Sequence, residues 1–168
     1  ETVVRNMPFC DEFIIVTKES YRNIVNGQMK AFQSLKYRVV LEGSPKGTAA
    51  AIMLGSQFCN QSELVFVVTA DNLIEGQEYK DAILRAKELA KQGSIVALGV
   101  KPAKKNSNFG YLLRDEENVL KFIEKIRLDD DESFGYDDGF LWNSGMFLYR
   151  AGDLINAARA ICPELYDT

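Results

Sequence analysis

An α/β fold, with a mostly parallel sheet covered by helices on both faces, is the architecture this sequence predicts. Three observations carry the prediction. Short runs rich in apolar and β-branched residues alternate with stretches of helical periodicity from residue 12 to residue 100. Those runs are almost continuously apolar, as strands covered on both faces are, so the connections between them read as β-α-β crossovers. The chain, at 168 residues and 46% hydrophobic, also has the material for one substantial core.

Taken in order, residues 12–16 (Glu-Phe-Ile-Ile-Val) form the first strand. Ser20 then offers a helix cap ahead of Tyr21, Ile24, Val25, Met29 and Phe32. Residues 37–41 read as a strand, 48–58 as a helix and 64–69 as a strand. The clearest helix follows: Tyr79, Ala82, Ile83, Ala86, Leu89 and Ala90 share one face, and Gly93 stands where a left-handed cap belongs. Residues 94–100 supply another strand. After Pro102 the rhythm changes to a polar loop at 104–108 and short strands at 111–113 and 119–123 flanking a turn near 115–118. The acidic stretch 128–138 reads as a surface loop, 139–149 as an aromatic-rich strand, and Gly152-Asp153 as the start of a last helix ending before Pro163.

Bulk properties narrow the function. Twenty-four acidic against 20 basic residues give a net charge of -4, with no Lys/Arg run to track a nucleic-acid backbone, so no nucleic-acid partner is expected. The apolar runs at 64–68 and 95–100 are too short to cross a bilayer, and no membrane partner is expected. The N-terminus has no signal-peptide features. Cys10, Cys59 and Cys162 lack metal-ligand spacing and read as buried free thiols in a reducing, cytoplasmic compartment. The chain contains no histidine, which removes Ser-His and Cys-His hydrolase mechanisms.

In doubly wound sheets ligands collect beyond the carboxyl ends of the strands, and three such places stand out. Glu42-Gly43-Ser44-Pro45-Lys46-Gly47-Thr48 leads through small residues into a helix whose first amides face either a base or phosphate, or simply an ordinary capped loop. Ala70-Asp71-Asn72 puts a carboxylate after a strand, where it either holds a nucleotide-borne Mg²⁺ or starts a turn. Phe122-Ile123-Glu124-Lys125 and Trp142-Asn143-Ser144-Gly145-Met146-Phe147 carry polar groups within apolar strands. That pattern fits a strand with one solvent face. It also fits close approach of a ligand, because Asn143, Ser144 and Gly145 interrupt bulky residues.

In this order the segments resemble the mannose-1-phosphate guanylyltransferases, a branch of the sugar nucleotidyltransferases. The segment 42–52 is similar to that family's Glu-Pro-Val-Gly-Arg-Asn-Thr-Ala-Pro-Ala-Ile, 68–71 to its Pro-Ala-Asp-His, and Asn108-Phe109-Gly110-Tyr111 to its Gly-Tyr-Gly-Tyr. The segment 122–125 resembles Phe-Val-Glu-Lys-Pro, and 142–148 matches Trp-Asn-Ser-Gly-Met-Phe-Leu. The resemblance implies a Rossmann-like fold of the nucleotide-diphospho-sugar transferase type, with a nucleotide-binding half at 1–101 and a sugar-phosphate-binding half at 102–168. It implies that Glu42, Gly47, Thr48 and Ala70 lie by the nucleotide, that Asp71 holds Mg²⁺, that Gly110, Glu124 and Asn143 contact the sugar, and that Lys125 meets its phosphate. Lys125 and Asp71 would then be the catalytic pair.

The implied reaction joins mannose-1-phosphate to GMP from GTP, releasing pyrophosphate. A sugar phosphate is already ionised near neutral pH, its second pKa being about 6, so the nucleophile needs no base and the absence of histidine is no obstacle. Charge neutralisation and in-line alignment are what the reaction needs. Some positions depart from the family pattern: 43–47 reads closer to the Pro-x-Gly-Thr-Ala of relatives using other nucleotides, Asn72 replaces His, and Ile126 replaces Pro. UTP, dTTP or ATP with glucose-1-phosphate or a similar sugar phosphate is thus the alternative pairing, and a non-catalytic regulatory module of the same fold is the alternative class. The family's Gly-Gly-x-Gly-x-Arg loop is not in this chain and its second metal-binding Asp would lie beyond Thr168, so weak activity and self-association into a homo-oligomer are expected of the chain alone.

Overall fold

The computed structural model describes residues 1–44, 46–103, 106, 108–124 and 139–163, and the chain forms two compact units. Unit 1 comprises Glu1–Val96 and Leu148–Thr168; unit 2 is Ala97–Phe147. The expected acidic loop at 128–138 lies outside the described residues.

Unit 1 alternates strands and helices: α1 (Thr2–Asn6), β1 (Phe13–Lys18), α2 (Arg22–Met29), β2 (Tyr37–Glu42), α3 (Thr48–Ser56), β3 (Leu64–Val67) and α4 (Gln77–Lys91). β1 and β2 pair in parallel from Phe13↔Tyr37 to Lys18↔Glu42. α3 seats on this pair through Gly55, where an added Cβ would stand 3.2 Å from a Val16 methyl; the missing side chain lets helix and strand approach closely. α4 buries Tyr79, Ile83, Ala86 and Ala90, one residue per turn of a single stripe. Its end is a Schellman motif: Ser94 N–H donates to Leu89 O, Gly93 N–H to Ala90 O, and Gly93 holds φ +95°. The Arg150 guanidinium closes the same end by donating to Lys91 O at 2.6 Å.

The chain leaves unit 1 after the first residue of β4 (Val96–Val100) and continues through β5 (Tyr111–Asp115) and β6 (Asn118–Ile123) into β7 (Phe140–Arg150). Within unit 2, β7 pairs with β4 and with β5, and β5 with β6; the β5–β6 and β5–β7 pairings are antiparallel. The turn between β5 and β6 is made by Glu116, at φ +50°, and Glu117. The last residues of β7 belong to unit 1, as does α5 (Ala151–Ile161), which follows.

Element types and order match the sequence prediction, with ends displaced by tertiary contacts. Ser20 falls in a 3-10 turn and Tyr21 precedes the first residue of α2, so that Tyr21 and Ile24 are exposed and Met29 carries the burial. The third helix ends at Ser56, whose hydroxyl turns back onto Ile52 O, two residues short of the predicted Phe58. α1 and the 3-10 turn Met7–Phe9 were not expected. Asn6 fixes the position of α1, because its side-chain oxygen accepts from the buried Tyr79 hydroxyl at 2.7 Å. The three cysteines are free but half-buried rather than buried. No helix among the described residues is long and apolar enough to cross a membrane.

Candidate functional site

In unit 1 the predicted nucleotide residues sit on two β–α connections. Glu42 is the last residue of β2, half-buried, and Gly47 and Thr48 open α3. Gly47 adopts φ +93°, ψ 176°, a conformation that residues with a Cβ rarely adopt, and as the residue capping α3 it contributes no side-chain hydrogen bond. The first-turn amides of α3 therefore carry the partial positive charge of a helix start. Ala70 and Asp71 follow β3; Ala70 O accepts from Thr2 Oγ1 at 3.2 Å, which ties α1 to this connection, and the Asp71 carboxylate is exposed.

Asp71 supplies one hard oxygen donor, and no group of three or more potential ligands occurs among the described residues. Such a donor set fits an ion carried by phosphate, since Mg²⁺ keeps several waters and is commonly bound by one or two carboxylates plus substrate phosphates.

In unit 2 the structure brings Gly110, Asn143 and the end of β6 together. Asn143 N–H donates to Gly110 O at 2.8 Å, extending the β5–β7 ladder one step past Tyr111. A Cβ built on Gly110 would meet Ile123 O at 3.4 Å, the Phe122 ring at 3.7 Å and Asn143 Cβ at 3.8 Å, so the glycine leaves a methyl-sized hollow lined by β6 and β7. Glu124 follows directly on Ile123 and is exposed. Lys125 lies outside the described residues.

The polar interruption of β7 has a local cause. Asn143 Oδ1 accepts from Gly145 N–H at 3.1 Å while Gly145 turns to φ +72°, and the Ser144 hydroxyl donates to Leu98 O and accepts from Met146 N–H. The positive φ of Gly145 and these hydrogen bonds kink the strand locally and hold the Asn143 side-chain oxygen in place.

Sequence reasoning did not single out the hydroxyl of Tyr111. It accepts from Trp142 Nε1–H at 3.2 Å and from Asn106 N–H at 3.0 Å, and donates to Asn106 O at 3.2 Å, while the Phe109 and Trp142 rings lie 5.0 Å apart. The signal available in the sequence was the position of the chain's one tryptophan beside Asn143; the cross-strand register that pairs Trp142 with Tyr111 is not readable from either strand alone.

The family model described as Nucleotidyl transferase matches residues 3–167. A mannose-1-phosphate guanylyltransferase of Salmonella muenchen is 30% identical over 98% of this chain and 38% of its own length. One of Escherichia coli K12 is 27% identical over 94% of this chain and 36% of its own length. The chain thus spans little more than a third of these relatives. Among solved structures, one titled mannose-6-phosphate isomerase from Helicobacter pylori superposes with a TM-score of 0.91 at 32% identity, covering 99% of this chain and 66% of that one. A Thermus thermophilus structure with a TM-score of 0.78 at 22% identity covers 99% of this chain and 51% of its own, and shares the fold. With its α/β architecture and a family match running nearly end to end, this chain belongs to the nucleotidyl transferase family.

Proposed function

We propose that this chain is the nucleotide- and sugar-phosphate-binding core of a mannose-1-phosphate guanylyltransferase, transferring GMP from GTP to mannose-1-phosphate in the cytoplasm. The observation that carries the reading is the conjunction of Gly110, Asn143 and the Phe122–Ile123 end of β6 around one methyl-sized hollow, with Glu124 the next residue along the chain. A sugar ring needs that combination: room made by a glycine, a fixed amide donor and a carboxylate that accepts from hydroxyls. The names of the relatives point to mannose phosphates, since the transferases carry mannose-1-phosphate and the Helicobacter pylori isomerase mannose-6-phosphate in their titles. Free thiols support the compartment.

The labour divides between a nucleotide half, residues 1–101, and a sugar-phosphate half, 102–168. Glu42, Gly47, Thr48 and Ala70 hold the base and ribose side of GTP, with the first-turn amides of α3 turned toward it. Asp71 holds Mg²⁺, which supplies charge neutralisation at the phosphates when bound. Gly110, Glu124 and Asn143 orient the mannose, and Lys125 its phosphate. A phosphate oxygen of the sugar forms a bond to the α-phosphorus of GTP as the bond to the bridging oxygen breaks, and pyrophosphate leaves with the electron pair. The nucleophile arrives ionised, so the chain's task is alignment and charge.

Calorimetric titration of the chain with mannose-1-phosphate, glucose-1-phosphate and the Mg²⁺ salts of GTP, UTP, dTTP and ATP tests this. Preference for mannose-1-phosphate and GTP, with Asn143→Ala losing the sugar phosphate and keeping the nucleotide, is expected. Preference for glucose-1-phosphate with another nucleotide would replace the guanylyl assignment, and no binding of either class would favour a regulatory module.

A further inference from the structure

We propose that the Tyr111 hydroxyl is a latch that holds the 108–110 turn against β7 and so positions the sugar-phosphate subsite; the proposal rests on the function proposed above. The turn is tied at both ends. At Gly110 the carbonyl oxygen receives Asn143 N–H. At Asn106 the backbone exchanges two hydrogen bonds with Tyr111, whose own hydroxyl also receives the Trp142 indole N–H. Between these ties, Asn106 Oδ1 accepts from Asn108 N–H at 3.0 Å and the Phe109 ring packs on Trp142.

Tyr111 is 3% exposed and faces Trp142 directly in the β5–β7 register, so its phenol has little freedom to seek other orientations. One oxygen atom therefore couples the strand that carries Asn143 to the turn that carries Gly110. Tyr111 itself is a positioning residue, not one that meets the ligand. Replacing it with phenylalanine keeps the ring and its packing and removes only the junction. Asn106 N–H and Trp142 Nε1–H then lose this acceptor, and the turn can drift from the place that the mannose ring requires. Losing one such junction corresponds to about a tenfold change in affinity.

The test uses the 168-residue chain and mannose-1-phosphate, with affinity read by calorimetry and the environment of Trp142, the chain's one tryptophan, read by its emission. Tyr111→Phe should weaken mannose-1-phosphate binding about tenfold, shift the emission of the unliganded chain, and change GTP affinity by less than about twofold. A purely structural role would lower the melting temperature without this selective loss of mannose-1-phosphate affinity. Should Tyr111→Phe fail to fold, Trp142→Phe, which keeps a ring against Phe109 but lacks the indole N–H, should show a smaller loss in the same direction; wild-type affinity there would overturn the latch. Two failures remain distinct. If the wild type binds mannose-1-phosphate, Asn143→Ala abolishes it and Tyr111→Phe binds normally, the latch is wrong and the function stands. If the wild type does not bind, or Asn143→Ala binds as tightly, the functional reading fails and takes the latch with it.

Discussion

Tyr149 is 1% exposed, and its hydroxyl lies 2.9 Å from Ser56 Oγ. Ser56 Oγ also donates to Ile52 O at 2.7 Å, and either hydroxyl can be the donor in the Ser56–Tyr149 pair. Burial pushes the Tyr149 pKa up to about 12, against a smaller lowering by the Ser56 hydrogen bond. The folded state therefore keeps this proton after the unfolded chain, titrating near 10, has lost it. The stability it contributes is whole below about pH 10 and lost as pH rises toward 12, by roughly 3 kcal/mol in all. Tyr149→Phe should cost about 1 kcal/mol at pH 7 and remove that part of the alkaline slope, as urea titrations at pH 7 to 11.5 would show. An unchanged slope would mean that the phenolate is accommodated in the fold. Gly110 makes the complementary prediction. An alanine there fits at ordinary contact distances, so Gly110→Ala should melt within a few degrees of wild type yet lose mannose-1-phosphate affinity about tenfold or more by filling the hollow. Equal binding in calorimetry would remove Gly110 from the sugar subsite.

Two glycines at helix ends show how differently the same residue is required. Gly93 is needed for its dihedral angle, +95°, and Gly93→Ala should cost about 1 kcal/mol through backbone strain. Gly152, in the first turn of α5, is needed for space: an added Cβ would stand 2.9 Å from Gln61 O, in a seam where Ala151 N–H and Gly152 N–H donate to Glu63 O and Gln61 O. Gly152→Ala should then cost about 1–3 kcal/mol, and chemical denaturation of the two variants side by side separates the cases. The first glycine was legible in the sequence, because a helix with apolar residues at 79, 83, 86 and 90 advertises its own end. The second was not, since its partner lies on a distant turn. The same division runs through the molecule. Strands β2, β3 and β4 announce themselves by composition, whereas α1 depends on Asn6 meeting Tyr79 and the end of α3 on Ser56 facing Tyr149. Among the candidate residues, Asp71 stood out as a carboxylate just after a strand and Asn143–Gly145 as a polar interruption within one. The contacts among Gly110, Ile123 and Asn143 arise from an antiparallel register that no single strand encodes.

For the chain as a whole, charge sharpens the test of ligand specificity. The protein carries a net charge of -4 and a pI near 5.0, and both proposed ligands are polyanions. Its overall field therefore repels them, and stabilisation by either ligand has to come from local contacts that overcome this repulsion. A ligand at about a hundred times its Kd stabilises the folded state by about 2.7 kcal/mol, which for a chain of this size raises Tm by roughly 5–10 °C. Mannose-1-phosphate and Mg²⁺–GTP should each produce such a shift, while inorganic phosphate or sulfate at matched ionic strength should produce little. Asn143→Ala should abolish the mannose-1-phosphate shift and leave that of GTP intact, because the proposed contacts lie in different parts of the chain. A thermal melt in which every anion raises Tm equally would instead show general anion stabilisation, and the assignment of a sugar-phosphate subsite to Gly110, Glu124 and Asn143 would have to be abandoned.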